Sequence, residues 1–195
     1  MRKLALPVAL SLACASTATA QPAGEPQGIA LFDLGYARTL DDEGLLGTGA
    51  ALSLAVGWRL TPRLTIQGVF DRIPYHRTES YLEFDGRVLM GGVETTFQSS
   101  RPDVRPYLTV GVVFGHDHKL WTHKTQTGPA QFRVDSVTEH EYTVAMTRLA
   151  GGLDFRVSDR ISVRTSLRWH GLLNTGHDLA AHNIFQPTIG AAWRW

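Results

Sequence analysis

Between Leu149 and Trp169 the chain reads LAGGLDFRVSDRISVRTSLRW, two alternating runs about a polar break at Ser158-Asp159-Arg160. After the break, Ile161, Val163, Thr165, Leu167 and Trp169 share one parity, and Ser162, Arg164, Ser166, Arg168 and His170 share the other. Before it, Leu149, Gly151, Leu153, Phe155 and Val157 oppose Arg148, Asp154 and Arg156. Successive side chains of a strand point to opposite faces, so this is a hairpin with one oily face and one charged face. Two architectures satisfy that pattern. A soluble sandwich or lipocalin-like barrel buries the oil in a core. A transmembrane barrel turns the oil to lipid and the charge to a polar lumen. One hairpin does not separate them.

The N-terminus bears on the choice. Met1-Arg2-Lys3 is a basic lead, Leu4 to Ala15 is a short apolar run, and Ala18-Thr19-Ala20 is a small-residue cleavage site. This is the pattern of a secretory signal peptide (1–20) cleaved after Ala20, and its apolar run is too short for a membrane helix. Residues 21–27 (QPAGEPQ) read as a flexible lead-in, and 28–195 as one domain. Cys14 is the only cysteine and falls inside the signal, so neither a disulfide framework nor a cysteine metal site is expected in the mature chain. With 19 basic and 18 acidic side chains, loss of Arg2 and Lys3 leaves the mature chain about one charge negative. No basic face points to nucleic acid.

The same alternation recurs along the chain. Phe32, Leu34 and Tyr36 oppose Asp33; Leu52, Leu54, Val56 and Trp58 oppose Ser53 and Arg59. Ile66 and Phe70 oppose Gln67 and Asp71; Val93 and Phe97 oppose Glu94; Leu108, Val110, Val112 and Phe114 oppose Thr109 and Gly111. In the last run Phe185, Ile189, Ala191, Trp193 and Trp195 oppose Gln186, Thr188 and Arg194. About eight strands result, each roughly 9–12 residues, the length a tilted strand needs to cross a bilayer. Short turns near 61, 100 and 159 alternate with loops over 39–49, 74–85, 117–141 and 172–183. Aromatic residues gather at strand ends. Trp58, Phe97, Phe155, Trp193 and Trp195 lie toward the short turns; Phe70, Phe114, Trp169 and Phe185 lie toward the long loops. Unequal connections and paired aromatic girdles favour the membrane. The predicted fold is all-β, an eight-stranded antiparallel up-and-down transmembrane β-barrel behind a cleaved signal peptide. Its inward parity carries Asp33, Asp71, Glu94 and Asp154 against Arg59, Arg148, Arg156, Arg164 and Arg168. In a lumen just wide enough for side chains to fill, these charges are expected to pair into a plug.

The units GWRLTPRLTIQGVF and GGLDFRVSDRISVRTSLRW, the signal peptide and the aromatic end WRW resemble the OmpA/OmpX-type family of small bacterial outer-membrane barrels. The resemblance covers nearly all of the mature chain and specifies architecture better than activity. It implies a monomer in the outer membrane of a Gram-negative bacterium. Its partners would be outer-membrane lipid and lipopolysaccharide, the barrel-assembly machinery reading Trp193 and Trp195, and an extracellular ligand held by the outer loops. The implied role is envelope structure or surface interaction. A narrow porin-like channel and an outer-membrane lipid-modifying enzyme stay open as alternatives.

Catalytic and cofactor signals are weak. The eight histidines, His76, His116, His118, His123, His140, His170, His177 and His182, fall in or beside the predicted outer loops. His116 and His118 share a strand face, a spacing compatible with a metal but without the supporting shell a site needs. The expectation is no metal and no cofactor. Some eight-stranded barrels deacylate lipid A through a His-x-Ser-Asn pattern. Here the comparable place reads Trp169-His170-Gly171-Leu172-Leu173-Asn174, without the serine nucleophile, so no catalytic residue is assigned.

Overall fold

A computed structural model describes residues 27–41, 44–79, 81–101, 103–129, 131–173 and 183–195. The predicted signal peptide, all but the last residue of the lead-in, His177 and His182 lie outside the described residues. Eight strands follow in order: β1 (Gly28–Asp41), β2 (Gly44–Thr61), β3 (Leu64–Thr78), β4 (Leu82–Gln98), β5 (Val104–Gly128), β6 (Gln131–Arg156), β7 (Ile161–Leu172) and β8 (Asn183–Arg194). Each pairs antiparallel with its sequence neighbours, and β1 pairs with β8 from Ile29↔Arg194 to Leu40↔Asn183, closing the barrel. Gln27 helps fasten the seam: its N–H donates to the Trp195 carbonyl at 2.9 Å and its carbonyl accepts from Arg59 N at 2.7 Å. Closure removes the unpaired edge that an open sheet would expose.

The short turns have local causes. Pro62 lacks an N–H and presets a turn dihedral, and Thr61 Oγ1 accepts from Arg63 N at 3.3 Å. At the β6–β7 turn, Ser158 Oγ accepts from the N–H groups of Arg160 (3.3 Å) and Ile161 (3.1 Å).

The oily parity faces away from the barrel. Val56 is 62% exposed, Phe114 61%, Leu167 60% and Ile189 60%. A soluble fold does not leave a continuous band of such residues uncovered. The opposite parity is buried, including Asp33, Asp71, Glu94, Arg148, Asp154, Arg164 and Arg168. This is the inside-out distribution of a membrane barrel.

Strand length departs from the sequence reading. The segments expected as loops over 39–49, 74–85 and 117–141 are largely strand, and β5 and β6 run to 25 and 26 residues. Beyond the apolar band polar residues appear on both strand faces, so the hydropathy alternation fades while main-chain pairing continues. From Phe114 to Gly128, β5 extends about 45 Å along its own axis at roughly 3.3 Å per residue.

Candidate functional site

Inside the barrel the side chains stack in layers. Nearest the short turns, Arg194 Nη2 donates to Asp154 Oδ2 at 2.7 Å and Arg194 Nη1 to Ser162 Oγ at 3.0 Å. The central layer is built on Arg148, which is 2% exposed. Its Nε lies 2.9 Å from Asp71 Oδ2, its Nη2 lies 3.2 Å from Ser53 Oγ, and its Nη1 pairs with Glu94. Arg168 bonds Asp33 at 2.8 Å and approaches Asp71 at 3.7 Å. Gln67 bonds Glu94 and, at 3.1 Å, Thr96, which bonds Thr109 at 3.0 Å. Arg164 stacks over the Tyr107 ring with its guanidinium carbon 4.0 Å from the centroid. Gly190 faces Asp33 across the β1–β8 seam; a Cβ there would fall on the Asp33 carboxylate and the Phe32 carbonyl, so the missing side chain makes room for the network.

A cavity of about 10 Å³ adjoins Asp33, Glu94, Arg148 and Arg168, room for about one water. Above it the interior turns apolar. Ile73, Val88, Met90, Val113, Val144, Met146 and Ile184 are each no more than 1% exposed. Over that layer, Tyr75 Oη donates to Asp117 Oδ1 at 2.7 Å and Lys119 Nζ sits 3.8 Å from Asp117 Oδ2. Charge, oil and charge are thus stacked across the lumen.

The structure brings Asp33, Asp71, Glu94, Arg148 and Arg168 together, with Arg164 beside them. Asp154 belongs to the separate turn-side pair. Arg156 is not in the lumen interior: it is exposed at the rim and pairs with Asp159 in the β6–β7 turn. It has the inward parity, but its strand has already passed the end of the barrel there. Arg59 is half-buried near the same end, where its N–H meets Gln27.

Several lumen residues were not singled out from sequence. Arg194 and Gln186 carry the inward parity of β8, which was the available signal. The apolar layer had none, because alternation identifies a face and not the polarity of its partners across the barrel. His170, expected beside a loop, is fully buried, with Nε2 4.0 Å from Asp71 Oδ2. It continues the inward parity of Arg164 and Arg168. His116 and His118 both face outward from β5; His118 lies within reach of Glu139 (2.6 Å) and Glu141, whereas His116 does not join that group.

On the loop side, β3 to β6 rise as a sheet beyond the barrel mouth. β6 pairs with β7 only from Met146↔Leu172 downward, while its pairing with β5 continues to Gly128↔Gln131. Leu173 N donates to the Ala145 carbonyl at 2.7 Å, so Ala145 turns its main-chain groups away from β5. Main-chain groups alternate in direction along a strand. Val137, Glu139 and Glu141 are in phase with Ala145 and aim theirs at the same edge. No described strand pairs with that edge above Met146. Around it Phe132, Val134 and Val137 are exposed, and Tyr81 packs edge-on against Phe132 with centroids 6.4 Å apart.

No family model and no curated protein matches the sequence. The fold does match solved structures, small outer-membrane β-barrel proteins among them. Neisserial surface protein A superposes with a TM-score of 0.63 at 13% identity, over 86% of this chain and 97% of that one. The attachment invasion locus protein Ail of Yersinia pestis gives 0.54 at 16%, over 87% and 99%. The N-terminal β-barrel domain of Pseudomonas aeruginosa OprF gives 0.53 at 12%, over 87% and 98%. At these identities the likeness is one of fold. The chain folds as an eight-stranded β-barrel of the outer-membrane type, and the OmpA/OmpX-type resemblance is consistent with that.

Proposed function

We propose that this protein resides in the bacterial outer membrane as a sealed anchor and displays its projecting sheet for surface recognition. The observation that carries this reading is the β6 edge at Val137, Glu139 and Glu141, which no described strand pairs. Three N–H and three C=O groups there stand ready to receive an added strand. Natural sheets usually blunt such an edge; here the exposed apolar residues Phe132, Val134 and Val137 line it instead. An extended segment of a partner protein would pair with the main chain and set alternate apolar side chains against these three. The lumen supports an anchor rather than a conduit, since a fully buried apolar layer lies across it. His170 faces into the lumen and not toward lipid, which argues against its use on a lipid substrate.

The test is selection of extended 12-residue peptides from a display library on the full chain in lipid nanodiscs. Alternating apolar peptides are expected, with slowed amide exchange at Val137, Glu139 and Glu141 on binding. Glu139→Pro removes one free-edge donor without touching the β5 ladder, a position where an edge strand tolerates proline, and should abolish that binding. Binding that survives Glu139→Pro with no protection of the three amides would overturn the proposal.

A further inference from the structure

Two hairpins of the projecting sheet carry the same side-chain arrangement. In the β3–β4 hairpin, His76 lies directly across from Asp85, and Glu83 stands two residues nearer the tip. In the β5–β6 hairpin, His118 lies directly across from Glu141, and Glu139 stands two residues nearer the tip. Residues two apart on a strand share a face, so each hairpin sets one imidazole against two carboxylates. In both, the three donor atoms lie within 4.8 Å of one another. In both, the imidazole meets one carboxylate at 2.6 Å: His76 Nδ1 on Asp85 Oδ1, and His118 Nε2 on Glu139 Oε1.

The hairpins differ in what balances the second carboxylate. In the first, Lys124 pairs with Glu83, so the group carries its own ammonium. In the second, neither Glu139 nor Glu141 pairs with a lysine or arginine among the described residues; His118 is the one cationic partner there. Two carboxylates and one imidazole leave a negative cluster that a bound cation completes. Imidazole beside carboxylate suits a borderline transition metal, zinc above all, whereas calcium takes about six to eight oxygens and magnesium keeps much of its water. Donors about 2.0–2.1 Å from a tetrahedral ion stand roughly 3.4 Å apart. The donors here range from 2.6 Å apart to within 4.8 Å, so small side-chain rotations admit the ion between His118 and Glu139.

We infer that His118, Glu139 and Glu141 form a divalent-metal site of the zinc class on the outer face of the β5–β6 hairpin. Three protein donors leave a further coordination position for water or an external ligand. The site is not the His116–His118 pair that sequence spacing suggests: His116 stays outside the group, and both acids come from the neighbouring strand. A bound ion clamps β5 to β6 beside the unpaired edge. The site uses side chains where the proposed edge uses main chain, and it does not depend on a partner strand.

The test is zinc titration of the full chain in lipid nanodiscs, after chelator treatment and without any peptide, read from the imidazole nitrogen resonances. The His118 Nε2 resonance should move with a dissociation constant on the order of 10 μM, and millimolar calcium or magnesium should not displace the ion. Glu141→Gln should weaken binding at His118 by at least about tenfold, since even an outer-shell partner is worth that much. His116→Gln should change nothing. Lys124→Gln, which releases Glu83, should bring a second zinc-responsive imidazole at His76. All variants are first checked for heat-modifiable gel migration, and Glu139→Gln stands in should Glu141→Gln fail to assemble. A His118 resonance that ignores zinc in the folded wild type would overturn the site. So would undiminished binding in the folded glutamine variant, or an equal loss in His116→Gln, which would assign the ion to the two histidines of β5. A His76 resonance that stays silent in Lys124→Gln would show that Lys124 is not what sets the hairpins apart, and displacement by calcium would reduce the cluster to an unselective acidic patch; each contradicts the inference.

Discussion

Replacing Arg148 by Met tests the lumen most sharply. The substitution keeps most of the side-chain volume and removes one charge. It takes from Asp71 its bonds at 2.9 and 3.4 Å, from Ser53 a bond at 3.2 Å, and from Glu94 its cation. Asp71 is then left with the Ser53 hydroxyl, Arg168 at 3.7 Å and His170 at 4.0 Å, and Glu94 with the Gln67 amide. Both carboxylates stay buried, at 0% and 3% exposure. Breaking a buried pair from one side costs about 3–5 kcal/mol, because a charge is stranded. The adjoining cavity of about 10 Å³ admits one water, which sets the expectation at the lower end, about 3 kcal/mol. That is roughly two powers of ten in the folding equilibrium. The assay is reversible urea unfolding of the barrel in lipid vesicles, followed by heat-modifiable gel migration. Asp71→Asn added to Arg148→Met should recover part of the loss, because the double change removes the stranded charge as well. A coupling of about 1–3 kcal/mol between the two sites is expected. A cost below about 0.5 kcal/mol, or strict additivity, would show that lumen water screens these charges as at a surface, and the sealed-plug argument would fail.

Two further outcomes follow from position. Ile189→Arg places a charge mid-band on β8 and should cost about 2–4 kcal/mol, read as a lowered urea midpoint or failed assembly, while Val137→Arg on the projecting sheet should leave the midpoint unchanged; equal effects would remove the assigned membrane boundary. At the ribbon tip, the Thr125 hydroxyl holds the Asp135 carboxyl below its ordinary range; slight desolvation opposes it and Arg133 adds to it. A carboxyl depressed in the folded state stabilises at and above the usual carboxylate range and loses that contribution as pH falls through its lowered value. NMR cross-peaks between the Tyr81 and Phe132 rings should therefore weaken on acidification from about pH 5 to about pH 2.5, and Asp135→Asn should abolish the pH dependence; a dependence unchanged in that variant would refute the assignment.

Much of the barrel was legible because a bilayer imposes period-two alternation on every spanning strand. Strand starts at Gly28, Leu64 and Ile161 and the turns at Pro62 and Ser158 fall where the pattern breaks. What lay beyond the bilayer was not legible. Between Asp117 and Glu141 polar residues fall on both faces and the few apolar ones, such as Leu120, Trp121, Phe132, Val134 and Val137, keep no continuous alternation, so a two-stranded ribbon reads as a loop. The lumen charges could be listed by parity, but parity carries no depth. Arg156 shares the phase of Asp154 and still ends at the rim, whereas Arg194 has the same phase as Gln186 and reaches Asp154. The apolar layer at Ile73, Met90 and Met146 is a property of the assembled interior.

The most direct measurement is fractionation of cells expressing the full chain, with gel migration compared before and after heating. Recovery in the outer-membrane fraction, with the unheated band migrating as a compact species that shifts on boiling, is the expected result. Soluble periplasmic recovery with no heat shift would contradict the account, and the exposed apolar band would then have to be the surface of a different assembly.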